Sequence, residues 1–483
     1  MSSVRISDLD AILKEFYLGP IIESLNNQLE MVQMFTKSTL DWQGRQVVIP
    51  VHVSRNTGTG YRAELGQLPT AGAQGYVNLN VTAKFLYGRF SLTGPAISTA
   101  KTTANSFATY VQSEMDGLVT DTKLKANQAM FTGGGCVGFL HETHAAQTIG
   151  GGATATADVE YSFTGNKEII SELLAMQSTA GTRATPATHA AKLNIDLIRL
   201  DTYTSVVALS GAPPTAAQAV VCDASGDAAH LTIRVLGVPT DSYQLQTTGN
   251  FATMVKVKGW GEMLLAGANT FTPYDALGVG DATAGLVKQR VDSENDGIYS
   301  NLGNITHFGV DRSQTANASL RSTVQAISVG ARLHANQALN FGRMQSILDE
   351  IMVLGGDDPD CIYVHPGIRQ KYADLLVFNA PGSIKKGAIG DVGTGDPGFS
   401  GYAFNGIPLK MSRHCGKGLM IFLKTKTWTI AELQSFGMAD LDGNVLSRLS
   451  NQDAYEGFVR WYYNLVCKEP NRNAILCGIA FPA

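Results

Sequence analysis

Residues Thr102 to Phe131 place small or apolar side chains at Ala104, Phe107, Ala108, Val111, Met115, Leu118, Val119, Thr122, Ala126, Ala129 and Met130. Steps of three and four along one stretch predict a single buried helical face. Glu114, Asp116, Asp121, Lys123 and Lys125 fall opposite. Gly133, Gly134 and Gly135 end the pattern, as a glycine run ends a helix. At 1.5 Å per residue the predicted rod is roughly 45 Å long, more than twice the mean helix length. Such a rod with a narrow apolar stripe suits a spine on which sheets are laid, not one helix of a compact enzyme.

The second constraint lies before it. Val47 to Val53 reads as a strand, and Val77, Leu79, Val81, Ala83 and Phe85 alternate with Asn78, Asn80, Thr82 and Lys84 as a half-buried one. Between them, Ser54 to Tyr76 carries Gly58, Gly60, Gly66, Pro69, Gly72 and Gly75. Two strands of about ten residues reach roughly 33 Å, so residues 46–93 predict a long protruding hairpin with a glycine-rich tip. Such a hairpin is unstable alone and must be covered by its own chain or by another copy.

Charge narrows the function classes. Charged residues make up 16% of the 483, against about 25% in typical soluble proteins, which fits a chain that buries surface against copies of itself. A net charge of -4 argues against tight nucleic-acid binding, which needs a basic footprint. No apolar run is long enough for a membrane span. Met1 to Asp10 lack a hydrophobic signal core, which points to a chain made and kept in a cytoplasm. The six cysteines form no CxxC pair, so free thiols are expected.

The remainder divides by texture. Leu9, Ile12, Leu13 and Phe16 form one apolar patch, Gly19-Pro20 breaks it, and Ile21, Ile22, Leu25, Leu29, Val32 and Phe35 form a second helical stripe. A first segment with its own breaks and little core reads as an arm packing on a neighbour. Ile169 to Met176 reads as a short helix. From Leu193 to about Val291, short β-like runs separated by turns read as a β-rich insertion. From Ala335 the pattern is α/β. A helix carries Leu339, Met344, Ile347, Leu348 and Ile351, a buried strand covers Cys361–Val364, and a second helix runs from Ile368 to Leu376. A loop with seven glycines spans Asn379–Gly401, and the strands beyond it are expected to complete one mixed sheet with flanking helices.

Candidate chemistry is sparse. Gly58-Thr59-Gly60-Tyr61-Arg62-Ala63 imitates a dinucleotide fingerprint, but Gly66 and Pro69 follow where a helix must start. Gly382 to Gly387 resembles a phosphate loop, yet Ala388 stands where its Lys is required. Ser98-Thr99-Ala100-Lys101 lacks the partner motifs of Ser–Lys catalysis and is better read as a capped helix start. Gly398-Phe399-Ser400-Gly401 lacks a spacer of the nucleophile elbow. Cys136, His141 and His144 have no second cysteine pair for zinc. Cys361, His365, His414, Cys415, Cys467 and Cys477 read as core thiols and turn histidines, with Cys467 and Cys477 on neighbouring strands. No catalytic, cofactor or metal residue is assigned.

The order of arm, long hairpin, spine helix, β-rich segment and C-terminal α/β domain resembles the major capsid proteins of tailed bacteriophages, with their Hong Kong 97-like fold. The stretches that carry the resemblance are Phe16–Pro20, Val48–Asn56, Lys84–Phe90, Thr93-Gly94-Pro95, Ile362–Pro366, Asn405–Leu409 and Tyr455–Arg460. It implies an α+β chain with an N-terminal arm (1–45), an extended hairpin loop (46–95), a peripheral domain with the spine helix (96–195 and 291–334), a β-rich insertion (196–290) and an axial domain (335–483). It further implies a non-catalytic subunit, assembled in the host cytoplasm, that forms hexamers and pentamers of an icosahedral virion shell around double-stranded DNA. Portal, scaffold and decoration proteins are the implied partners, DNA is enclosed without sequence-specific binding, and neither membrane nor cofactor is involved. A protein-cargo compartment of the encapsulin type, built on the same fold, is the alternative.

Under this resemblance Arg55, Arg62, Glu64 and Arg89 are candidate intersubunit contacts. Gly117, in mid-helix, is either a bend point for shell expansion or a site of close packing. Some relatives weld neighbours through a hairpin lysine. No lysine occurs from Ser38 to Ala83 here, and an arginine stays protonated and cannot be the nucleophile.

Overall fold

The computed structural model describes residues 30–38, 42, 44–93, 104–133, 136–139, 294–303, 306–312, 314–326, 339–379, 402–416, 418–439, 447–448, 453–477 and 479, and the strands at 156–163, 181–182, 191–199, 217–223, 231–239, 253–257, 263–265 and 271–272. The readings of residues 1–29, the Ser98–Lys101 motif, the helix at Ile169–Met176 and the loop at 380–401 lie outside the described residues.

In chain order the elements are α1 (Glu30–Met34), β1 (Thr36–Ser38), β2 (Gln46–Ser54), β3 (Gly75–Thr82), β4 (Lys84–Thr93), α2 (Ala104–Thr132), β5 (Cys136–Phe139), β6 (Thr156–Phe163), β7 (Gly181–Thr182), β8 (Ala191–Arg199), β9 (Ala217–Asp223), β10 (Leu231–Pro239), β11 (Thr253–Val257), β12 (Met263–Leu265) and β13 (Phe271–Thr272). There follow α3 (Ile298–Leu302), β14 (Thr323–Ala326), α4 (Phe341–Gly355), β15 (Cys361–Val364), α5 (Pro366–Asn379), β16 (Tyr402–Phe404), β17 (Ile407–Met411), β18 (Met420–Leu423), β19 (Trp428–Met438), β20 (Ser447–Arg448), β21 (Ala454–Cys467) and β22 (Ala474–Cys477).

The spine forms as expected: α2 runs for 29 residues. In its middle Glu114, Asp116, Gly117 and Asp121 are exposed, while Leu118 and Val119 are half-buried. The narrow stripe does not persist, because every residue from Ala126 to Thr132 is buried, Asn127 and Gln128 included. The Asn127 side-chain oxygen and the Thr132 hydroxyl find partners inside, whereas the Asn127 Nδ2 is buried without one among the described residues. Asn127 Oδ1 accepts the Met31 N–H at 2.8 Å, and the Thr132 hydroxyl donates to the Gln128 carbonyl at 3.2 Å. The helix is thus sheathed at its C-terminal end and only leaned upon in its middle.

The arm is corrected in its described part. Met31 and Phe35 are buried in this chain's own core, Phe35 stacks on Trp428 at 5.4 Å, and β1 adds a parallel edge to β19 in register Thr36↔Thr429. Burying two large side chains here is worth roughly 4 kcal/mol, which outweighs the turn signals that suggested detachment.

Among the described residues the strands form four sheets. β1-β19-β21-β20 form one, with β4 also on β21; β14-β22-β18-β15-β17-β16 form another; β2 and β3 pair alone. The single mixed sheet expected across 335–483 is therefore two. β19 and β21 leave it to pair with β4, Tyr463↔Lys84 through Ala454↔Thr93, and with the arm. Cys467 and Cys477 consequently lie on strands of different sheets, sharing one core as free thiols. The fourth sheet runs β13-β12-β8-β11-β5-β6-β10-β9-β7. It starts at Cys136, directly after α2, and β8 crosses residue 195, so this β-rich sheet begins before the 193 expected from texture.

Two cores result. One joins α1, the end of α2, α3 and the facing sides of both C-terminal sheets around Trp428, Trp461 and Tyr463. The other packs Met344, Ile347, Leu348 and Ile351 of α4 and Ile368 and Tyr372 of α5 on the six-stranded sheet. α4 is capped by Asn340, which accepts the Arg343 N–H at 2.8 Å, and ends at left-handed Gly356. The middle of α2 rests on β4 at Gly88, where a Cβ would come within 2.5 Å of Thr122 Oγ1 and 3.0 Å of Leu118 Cδ1.

Candidate assembly surface

The hairpin pairs from Gln46↔Thr82 to His52↔Tyr76. Its inner face alternates as the sequence predicts. Leu79 and Val81 are buried with Val310, Leu320, Ala431 and Val466, and Ile49, Val51, Val53 and Val77 pack against them. Pro50 sits in β2, whose outer edge needs no amide donor. Three hydrogen bonds fasten the paired strands to the body. The Asn80 N–H donates to the Phe308 carbonyl at 2.9 Å, the Ser319 hydroxyl to the Val53 carbonyl at 3.0 Å, and the Asn464 amide to the Thr82 carbonyl at 2.9 Å. The strand expected to run from Val77 to Phe85 is divided at Ala83, where the chain passes from the hairpin to the β4 sheet.

Beyond the paired strands, residues 55–74 form neither helix nor strand. The neck is closed by polar contacts. His52 Nε2 and Gln74 Oε1 are 2.7 Å apart, and the Asn56 N–H donates to the same Gln74 Oε1 at 3.1 Å. At the tip the chain turns through Glu64-Leu65, with Leu65 left-handed (φ 64) and the Gly66 N–H bonded to the Ala63 carbonyl at 2.8 Å. Tyr61 and Leu65 are fully exposed and Leu68 is 84% exposed.

Of the residues singled out from sequence, Arg55, Arg62 and Glu64 are exposed on this tip. Arg89 is elsewhere, on β4, where its Nη2 meets Glu456 Oε2 at 2.5 Å within the same chain. Gly117 is exposed, and a Cβ there would meet nothing within 4 Å, so close packing within the chain does not account for it. Sequence reasoning passed over Tyr61, Leu65 and Leu68. The available signal was three large apolar residues inside a glycine-rich gap, where a solvated turn needs none.

The remaining chemical candidates do not gather. Gly58 to Ala63 lies in the tip, with no helix after it. The residue ranges 141–144, 382–387 and 398–401 lie outside the described residues. Among the described residues no cluster of three or more His, Cys, Asp or Glu side chains is placed to hold a metal ion, and no helix is long and apolar enough to cross a membrane. Burial pushes the Cys361, Cys415 and Cys467 thiols up to about 12, so at neutral pH they are protonated and weak nucleophiles. Lys424 is ion-paired to Asp357 and Asp360, each at 3.0 Å, and joins the 357–360 loop to the start of the 425–427 turn.

No protein-family model and no curated protein matches the sequence. Among solved structures the chain is similar to the capsid of cyanophage A-1(L), at 11% identity over 99% of both chains with a TM-score of 0.50. The capsid of the native GTA particle is 8% identical over 99% of this chain and 100% of the other, at a TM-score of 0.43. The SrpI encapsulin of Synechococcus elongatus is 12% identical over 33% of this chain and 55% of the other, at a TM-score of 0.23. Full coverage of both chains at a TM-score of 0.50 establishes a shared architecture: this chain has the fold of the cyanophage A-1(L) capsid chain.

Proposed function

We propose that the protein is the major capsid protein of a tailed bacteriophage, a non-catalytic subunit that assembles through many copies into an icosahedral shell around double-stranded DNA. The observation that carries this is the hairpin, fastened at its root yet ending in fully exposed Tyr61 and Leu65, in a chain with the fold of a cyanophage capsid protein. Covering Tyr61, Leu65 and Leu68 on a neighbour is worth roughly 5 kcal/mol per copy. A shell sums that over every subunit, so single contacts need not be strong.

In this reading the hairpin lies on an adjacent subunit, with Arg55, Arg62 and Glu64 as polar contacts at its tip. The region around α2 and β4, with β19 and β21 paired beside it, forms the peripheral part, and the six-stranded sheet with α4 and α5 contributes the axial part of hexamers and pentamers. The nine-stranded sheet decorates the basic fold. Portal and scaffold proteins complete the head during assembly in the host cytoplasm, and near-neutral charge lets the shell hold DNA without gripping it. Electron microscopy of particles purified from the producing cells is the test. DNA-filled icosahedral heads with a tail vertex support the reading, and small closed shells loaded with enzyme replace it with a protein-cargo compartment.

A further inference from the structure

The turn that grips the hairpin is built against its own backbone preference. His307 and Val310 exchange backbone hydrogen bonds at 2.9 Å in each direction, closing a tight turn on Phe308 and Gly309. Both central residues are left-handed, Phe308 at φ 49 and Gly309 at φ 79. Glycine takes that conformation freely, and Asn or Asp tolerates it, but for a bulky aromatic residue it is strained. The strain is held from outside. The Phe308 ring packs with the hairpin's inner face, and its carbonyl receives the Asn80 amide.

The same segment is anchored behind. The fully buried Arg312 guanidinium donates to the carbonyls of Asn301 and Gly303 at 2.7 and 2.6 Å, and Arg321 Nε donates to the Arg312 carbonyl at 2.7 Å. Farther along, Ser319 reaches Val53 on the other hairpin strand. Residues 307–320 therefore hold both strands of the hairpin by contacts to β3 and β2. They are themselves rooted in the core. On the hairpin side, Gly44 is left-handed (φ 82) with open space around it, and Ala83 is a one-residue gap between sheets. These two points lie where the hairpin joins the body.

We infer that residues 307–320 are a strained clasp, and that its release, with Leu79 and Val81 lifting off Ala431 and Val466, lets the hairpin swing as one unit about Gly44 and Ala83 while the body stays folded. The strain at Phe308 is relieved only when the clasp opens, so the closed state is held with a deliberately reduced margin. This concerns the isolated subunit and stands whether or not the chain forms a phage head.

Hydrogen–deuterium exchange of the full-length subunit tests it. In the unaltered protein, amides of 46–54 and 75–82 should exchange together and faster than those of α4 and β15. Ser319→Ala should speed hairpin exchange severalfold without altering α4. Phe308→Ala keeps a strained backbone and loses the ring, whereas Phe308→Gly loses the ring and the strain. Hairpin exchange should therefore be about fivefold slower in Phe308→Gly than in Phe308→Ala. A purely packing role predicts Gly to be no better than Ala, and that result overturns the clasp. Hairpin amides that exchange only with global unfolding overturn it equally, and Ser319→Ala supplies that readout should either Phe308 variant fail to fold.

Discussion

The side-chain amide of Asn464 donates to the backbone carbonyl of Thr82, 2.9 Å away, at the last paired residue of the hairpin. The same amide donates to Asp296 Oδ2, and its oxygen accepts the Asp296 N–H, both at 2.9 Å. One fully buried residue of β21 thus ties the hairpin root to the segment leading into α3. Asn464→Ala leaves buried donors and acceptors without partners and should cost about 3 kcal/mol. A lowered urea midpoint with unchanged slope is the expected measurement.

Two glycines should respond oppositely. Gly88→Val forces side-chain atoms into Thr122 and Leu118 beneath α2 and should destabilise by about 2 kcal/mol. Gly117→Ala enters open space on an exposed helix and should stabilise by about 1 kcal/mol. If Gly117 is the bend point proposed for shell expansion, Gly117→Ala shells should also expand more slowly in time-resolved scattering. Unchanged kinetics would remove that role.

Glu30 makes stability depend on pH. Burial raises its carboxyl pKa above the ordinary 4.5, against the hydrogen bond from Ser412 and the charges of Arg413 and Lys410. A raised folded pKa means that the stability from holding the neutral acid is full below 4.5 and is lost as pH rises through the folded value. Glu30→Gln should therefore melt higher than the unaltered protein at pH 7, with the gap closing towards pH 4. A calorimetric series across that range decides it.

Removing Thr57–Gly75 should leave folded, soluble subunits that do not close into shells, because all of the deleted residues except Gly75, the first of β3, lie beyond the paired strands and the apolar groups Tyr61, Leu65 and Leu68 are exposed. Circular dichroism checks the fold and sedimentation velocity the assembly. Normal shells from this variant would refute the assembly role of the hairpin.

Mature particles should contain no covalent links between subunits, since the tip offers no lysine. Boiling in detergent under reducing conditions should give one band near 51.4 kDa. A ladder of multimers would contradict the prediction.

The elements that the sequence announces are those governed by local periodicity. The spine was legible because Leu118, Thr122 and Ala126 recur at helical spacing, and the hairpin because valines alternate with polar residues on both sides of a glycine-rich gap. Burial of Asn127 was not legible, because a polar residue is tolerated inside only when a distant partner meets it, here the Met31 amide. The division of the C-terminal strands into two sheets was hidden for the same reason. Nothing near Tyr463 in sequence announces that it will pair with Lys84. The tip's polar residues were found from their charge, but Leu65 was not, since exposure of an apolar residue is set by what the chain fails to place over it.

At Ala83 a single residue separates a strand of the hairpin from a strand of the body, and the spine rests on that second strand at Gly88. The eight residues of β3 form an arm of roughly 26 Å at strand spacing. A tilt of about 10° at its fulcrum carries the far end of that arm through roughly 5 Å. With the clasp at residues 307–320 open, the hairpin is thus a lever geared to the helix: small rotations of the body become side-chain-sized displacements at its far end, and a load on that end returns to the spine as torque.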